Sequence, residues 1–327
     1  MNRIKMIFAV IAMVGVVLNA DAAGRRTYPC HRLAQAPLID GKMDDEAWKN
    51  IPAASGFYIF GKKKFAVEKQ TSFKAGWTDD AVYIGIRAEE NSPEKLKALG
   101  RDGSPLYQDD SIEVFLFPLG APNYMQLIAN SAGKRMNGRG PETINLLDWK
   151  AKAFVDKTEW LLELSIPFGV LMGNPPKEGD EWPVNVARNM STGPAEERNS
   201  SWPFIAEAFY DVDSFGCFVL KGEAGNNVVA EEKKLNASYI KNMRDNIIKL
   251  AGVAGKYEKG LAKKRRGESL RVEAEYLRRT WGQVVKLAAQ SDPDFHELRS
   301  ATRAYVNLRS RSDDCVVGEM MEILLKD

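Results

Sequence analysis

The sequence predicts a mainly β fold: an antiparallel β-sandwich of jelly-roll type, followed by an α-helical hairpin or three-helix C-terminal region. Three observations predict it. Short apolar runs recur between Thr71 and Leu220, and the clearest alternate with period two. Proline and glycine punctuate them, at Pro118, Gly133, Pro141, Pro167, Pro175, Pro176 and Gly179. Beyond Gly222 the pattern changes: Pro293 is the only later proline, and apolar residues recur at helical spacing. Many short strands with turns between them imply packed sheets.

Thr71 to Trp77 and Val82 to Ala88 flank the polar turn Thr78-Asp79-Asp80. Val82, Ile84 and Ile86 face one way and Tyr83, Gly85 and Arg87 the other, which is the pattern of a hairpin. Ile112 to Phe117 is more apolar, as a strand covered on both faces should be. Tyr124 to Asn130, Lys152 to Val155, Trp160 to Ile166, Val184 to Met190 and Phe215 to Leu220 continue the series. Trp48, Trp77 and Trp160 lie in or beside these patterns and are expected in the core.

The chain divides into a signal peptide (1–22), the sandwich (23–222), a linker (223–229) and a helical region (230–327). Arg3 and Lys5 precede an apolar run of 13 residues, Met6 to Leu18, and Ala20-Asp21-Ala22 has cleavage-site spacing. The run is shorter than the ~20 residues a spanning helix needs, so the expectation is export to periplasm or medium after cleavage near Ala22, with no stable membrane insertion. In the tail, Leu235, Tyr239, Met243, Ile247 and Leu250 form one apolar face. Leu270, Leu277, Trp281 and Val284 belong to a second, and Phe295, Leu298, Tyr305 and Leu308 to a third. Such a tail folds back on the sandwich or docks a protein partner. The basic run at 263–266 reads as a solvated helix face.

The net charge of +2 conceals an asymmetry, since residues 230–327 hold 20 Lys and Arg against 15 Asp and Glu. Nucleic acid is not an expected partner, for want of a strong basic stripe. Three cysteines, Cys30, Cys217 and Cys315, cannot all pair within one chain. A Cys30–Cys217 bridge between first and last strands and three free thiols both remain open. With His31 and His296 the only histidines and the cysteines far apart, there is no zinc signature.

Seven segments in order carry a resemblance. They are Ile39 to Asn50 (IDGKMDDEAWKN), Gly76 to Ile86, Tyr107 to Pro118 (YQDDSIEVFLFP), Tyr124 to Gly133, Glu159 to Phe168, Trp182 to Asn189 and Phe215 to Leu220. Together they resemble the family 9 carbohydrate-binding modules, whose sandwich is related to the DOMON group; the helical tail lies outside the likeness. Within the first segment Gly41 suits a turn at positive φ, and Asp44 is placed to cap the short helix carrying Trp48.

The resemblance implies a non-catalytic carbohydrate-binding protein that supports carbohydrate catabolism. It also implies a terminal sugar held between two aromatic side chains. The first falls on Tyr107, and the second on Phe209 or Tyr210; Trp202 is a further aromatic candidate. Sugar rings pack on aromatic faces while their hydroxyls need donors and acceptors. The polar candidates are Asp110, Glu113, Gln126, Asn130, Asn185 and Arg188. Glu113 alternates with Ile112 and Val114 and so faces away from them; Gln126 and Asn130 share one face. Asn185 and Arg188, three apart, should point to opposite faces. The alternative for all six is a solvated strand face or internal hydrogen bonding. Ile128 departs from the family pattern, in which binders carry an arginine there.

No cofactor is expected with certainty. Haem-binding relatives of this architecture need Met, His or Lys ligands, and His31 falls outside the expected strands. Calcium would find hard oxygens at Asp79-Asp80 and Asp109-Asp110, although neither pair resembles an EF-hand loop. No catalytic triad, P-loop or dinucleotide fingerprint appears, so no enzyme is expected. The competing reading is a structural or interaction protein of the cell envelope, with the sandwich as scaffold and the tail docking a partner.

Overall fold

The computed structural model describes residues 25–66, 69–144, 147–191, 193 and 195–246, and within the C-terminal region 279, 282–284, 286–287, 289–290, 294 and 297–301. The expected signal peptide, Cys315, the basic run 263–266 and most of the second and third expected helices lie outside the described residues.

The strands in the described residues are β1 (Thr27–Arg32), β2 (Tyr58–Ile59), β3 (Thr71–Trp77), β4 (Ala81–Glu89), β5 (Ser111–Leu116), β6 (Met125–Asn130) and β7 (Arg135–Arg139). They continue as β8 (Glu142–Thr143), β9 (Lys150–Val155), β10 (Glu159–Pro167), β11 (Glu181–Asn189), β12 (Asn199–Ser201) and β13 (Gly216–Glu223). They form one curled sheet in the order β8-β7-β6-β5-β11-β13-β1-β3-β4-β10-β9, with β12 and β2 branching from β11. The β5–β6–β11 half faces the β3–β4–β10 half. Arg188 of β11 reaches across to the Glu89 carbonyl of β4, at 2.8 Å.

The eight expected strands are present. The sheet is mixed, however: β1 runs parallel to β13 and to β3. Pro29 hid this strand, because proline argues against a central position. Among the described residues, the only strand partner of β1 from Thr27 to Cys30 is β13. His31 therefore sits in a strand, against the expectation. Cys30 pairs with Leu220 and Cys217 with Thr27, so the two thiols are out of register; both are buried and free. Burial pushes the Cys217 thiol up to about 11.

The core lies between the two halves. Trp77 and Trp160 are buried in it, as expected, together with Phe73, Ile84, Val114, Leu162, Val186 and Phe218; Trp48 is buried too, against the other face of β10. The Tyr28 hydroxyl donates to the Pro52 carbonyl at 2.8 Å and accepts the Ala75 amide at 2.7 Å, which fixes β1 against β3. Opposite the core, the Ile39 to Asn50 segment covers the outer face of β10. Buried Glu163 holds it there by accepting from the Gly41 amide (2.7 Å), the Asp40 amide (3.1 Å) and Trp48 Nε1 (2.8 Å). Gly41 has φ +94°, and a Cβ would come within 2.9 Å of the Ala153 backbone, so both its turn and its close approach require glycine. Asp44 does not cap the Trp48 helix. Asp45 occupies the N-cap position, and its carboxylate accepts the Leu38 amide instead.

A one-turn helix, α1 (Phe168–Leu171), follows β10. The linker is shorter than expected, for β13 runs through Glu223 and α2 begins at Val228 (Val228–Leu235). Asn236 interrupts the expected continuous helix, and helical residues resume over 237–246. Its buried side chain explains the break: it accepts the Ser55 amide (2.7 Å) and donates to the Ala53 carbonyl (2.8 Å). Tyr239, Met243, Val284 and Leu298 then pack with Phe65. In the described residues the tail folds back on the sandwich. No helix among them is long and apolar enough to cross a membrane.

Gly56 marks how close this approach is. It has φ +73°, and a Cβ would lie 2.6 Å from Tyr239 Cβ. Gly56→Ala is expected to cost about 1–3 kcal/mol, from crowding and strained backbone together. Urea unfolding checks the loss, and limited proteolysis should cut the tail first.

Candidate functional site

Strands β5, β6 and β11 lie side by side, and their registers place alternate residues on a shared outer face. Asn185 stands beside Phe115, and Phe115 beside Gln126; one row on, Ala187, Glu113, Ile128 and Met136 align; then come Asn189, Ser111 and Asn130. This is the face that the alternation around Glu113 predicts.

Glu113 is its centre. Its Oε2 accepts from Gln126 Nε2 and its Oε1 from Asn189 Nδ2, both at 2.7 Å. Its residue exposure is only 5%. Burial raises its carboxyl above the ordinary value, while the Asn189 and Gln126 donors pull it back. The folded state thus holds this proton more tightly than the unfolded state. The contribution to stability is largest below the unfolded value and is lost as pH rises through the folded one. Glu113→Gln removes this term. Its stability relative to wild type should therefore improve between about pH 4 and pH 7, as compared by urea melts at both ends.

Tyr107 rises from a 3-10 turn, Leu106–Gln108, and is 51% exposed. Leu106 anchors that turn by packing on Ile128 and Met136. The turn is braced further from below. Asp109 accepts the Gly100 amide (2.9 Å) and Asn130 Nδ2 (3.0 Å), and Asp110 accepts the Lys97 amide (2.8 Å), the Ser191 amide (2.9 Å) and the Ser191 hydroxyl. Asn130 Oδ1 is occupied by the Ala132 and Lys134 amides. Asp110 and Asn130, expected to contact ligand, are fully buried and hold the Tyr107 loop.

The remaining candidates separate. Arg188 points to the side opposite Asn185, as their spacing requires, and that side is the sandwich interior; it meets Glu89 and Glu90 there and cannot reach ligand. Trp202 is fully buried, edge-on to Phe73 at 5.2 Å, and is a core residue rather than a platform. Phe209 packs on Phe60 at 4.9 Å, and its carbonyl accepts Asn185 Nδ2 at 2.8 Å. Its neighbour Tyr210 is 60% exposed and is the aromatic available on that loop. Asn185 Oδ1, buried beside it, has no hydrogen-bond partner among the described residues. Asn189 was missed, although Asn185, Ala187 and Asn189 alternate along one face and so signal it.

The acidic pairs are engaged elsewhere. Asp79 bridges to Arg32 at 2.6 Å, and the oxygens of Asp109 and Asp110 are spent on the loop. Among the described residues no group of three or more His, Cys, Asp or Glu side chains is placed to hold a metal ion.

The family model described as carbohydrate family 9 binding domain-like matches residues 39–223. No curated protein matches the chain. Among solved structures, a putative carbohydrate-binding protein from Bacteroides uniformis is similar at 15% identity with a TM-score of 0.50, over 61% of this chain and all of that one. A family 9 carbohydrate binding module from Caldicellulosiruptor kristjanssonii aligns in two complexes. With cellotriose the identity is 18% and the TM-score 0.46, over 62% of this chain and 97% of that one. With glucose they are 19% and 0.47, over 61% and 98%.

Proposed function

The chain belongs to the carbohydrate family 9 binding domain-like family, and from that premise we propose that it is an exported, non-catalytic carbohydrate-binding protein in support of carbohydrate catabolism. The observation that carries the reading is the outer face of β5, β6 and β11. There a carboxylate set between two side-chain amides lies beside a loop presenting the half-exposed Tyr107. Aromatic faces take the apolar side of a pyranose, and carboxylate and amide groups take its hydroxyls. Tyr210 supplies a second exposed aromatic at the Phe209 end of that face. Asp110 and Glu113, carboxylates close in sequence, are both engaged by internal donors, which favours binding over hydrolysis.

Affinity-gel electrophoresis and a glycan array test this. Retention on at least one polysaccharide is expected, and Tyr107→Ala should weaken it about tenfold. No retention on any glycan, with Tyr107→Ala behaving as wild type, would sink the proposal. The scaffold reading has one observation in its favour, the internal bonding and slight exposure of Glu113. Against it, the apolar residues Tyr239, Met243 and Leu298 are spent on the sandwich rather than offered to a partner.

A further inference from the structure

The family likeness stops at residue 223, yet the segment beyond it is bonded into the sandwich at several points, and two of them lead to β11. The first is ionic. Arg299 pairs with Glu89 through Nε at 2.8 Å and Nη2 at 2.5 Å. The carbonyl of the same Glu89 accepts Arg188 Nη2 at 2.8 Å, and Arg188 belongs to β11. The second is aromatic. Tyr239 packs edge-on to Phe65 at 5.3 Å, and Phe65 stacks on Tyr58 at 4.3 Å. Tyr58 of β2 pairs with Ser201 of β12, which pairs with Ala187 of β11.

Both routes end on Ala187 and Arg188. The next residue, Asn189, donates to Glu113 at 2.7 Å. We infer that the C-terminal segment is a strap that holds β11 from two sides and thereby sets the geometry of the Glu113 face. As regulation of a sugar site this rests on the reading above; as a statement about β11 it does not. If the strap orders β11, ligand on the Glu113 face and docking of the tail must favour each other by the same factor.

Two full-length variants probe the routes separately, and neither touches the face. Arg299→Gln removes the ionic route and Tyr239→Ala the aromatic one. Hydrogen exchange is expected to rise about tenfold at residues 186–189 in each, with residues 161–164 of β10 unchanged. A rise confined to the tail, or one spread equally over both halves of the sheet, would overturn the inference. If Tyr239→Ala does not fold, Tyr239→Phe and Arg299→Lys, which keep ring and charge, should leave exchange at 186–189 as in wild type. A rise there in both would equally overturn it. In a second arm cellotriose is the probe: where it binds, both variants bind it more weakly and it slows proteolysis of the tail. If neither cellotriose nor any glycan on the array binds, the sugar reading fails while the exchange result still decides the strap.

Discussion

Arg188→Met is expected to destabilise the protein by about 3–5 kcal/mol, a large share of the 5–15 kcal/mol that holds a typical domain folded. Arg188 is fully buried between the two halves of the sheet. Its Nη2 donates to the Glu89 carbonyl at 2.8 Å and lies 3.7 Å from Glu90 Oε2. Burial holds the guanidinium below its ordinary value, and Glu90, Asp110 and Glu89 pull it back towards the charged form. Glu90 is as deeply buried and pairs also with Lys69. Methionine fills similar volume but removes one of the cations that compensate a desolvated carboxylate, and that lost compensation dominates the cost. Arg188→Met with Glu90→Gln should recover part of the loss, the remainder reflecting that Lys69 then loses Glu90 as its partner. Urea unfolding of the two single variants and the double variant measures the coupling directly. Strict additivity would show that the pair does not interact.

Arg188 also shows how far the sequence could be read. The alternation Val184, Val186, Arg188 places the arginine with two apolar residues, so its direction was legible from spacing alone. What spacing does not carry is which face is interior when both faces of a strand are buried, as every residue of β5 is. Eight of the thirteen strands in the described residues followed from period and punctuation, whereas β1 and the short or polar β2, β7, β8 and β12 did not. The parallel placement of β1 did not, because pairing between residues about 190 apart leaves no local mark. Glu163 is a comparable case. Its alternation among Leu162 and Leu164 reads as a solvated position, yet it faces the Ile39 to Asn50 segment and accepts three hydrogen bonds there. On the site, residue types were legible and contacts were not. Glu113 and Gln126 came together as their pleat required, while Asp110 and Asn130 were drawn under the Tyr107 loop by backbone amides that no side-chain pattern announces.

Trp202 separates core from site most sharply. It follows β12, a strand of three residues, too short to show a period, so exposure could not be judged from pattern. In the fold its ring lies edge-on to Phe73 and to Tyr28, at 5.2 and 6.4 Å, and the Arg26 guanidinium sits 4.8 Å above it. Gly216 makes the room, since a Cβ there would come within 2.6 Å of the indole. Trp202→Ala should cost about 3–5 kcal/mol for the cavity, and somewhat more as Arg26 loses its aromatic partner. Trp202 Nε1 donates to no acceptor among the described residues, so Trp202→Phe forfeits no such bond and should cost clearly less than the alanine variant. Thermal melts of the three proteins give that ranking. Polysaccharide retention then completes the test, because Trp202→Phe should be retained as wild type is, whereas Tyr107→Ala should melt normally and lose retention. A folded Trp202→Phe that no longer binds would return Trp202 to the site and remove the argument that places recognition on the outer face beside Tyr107.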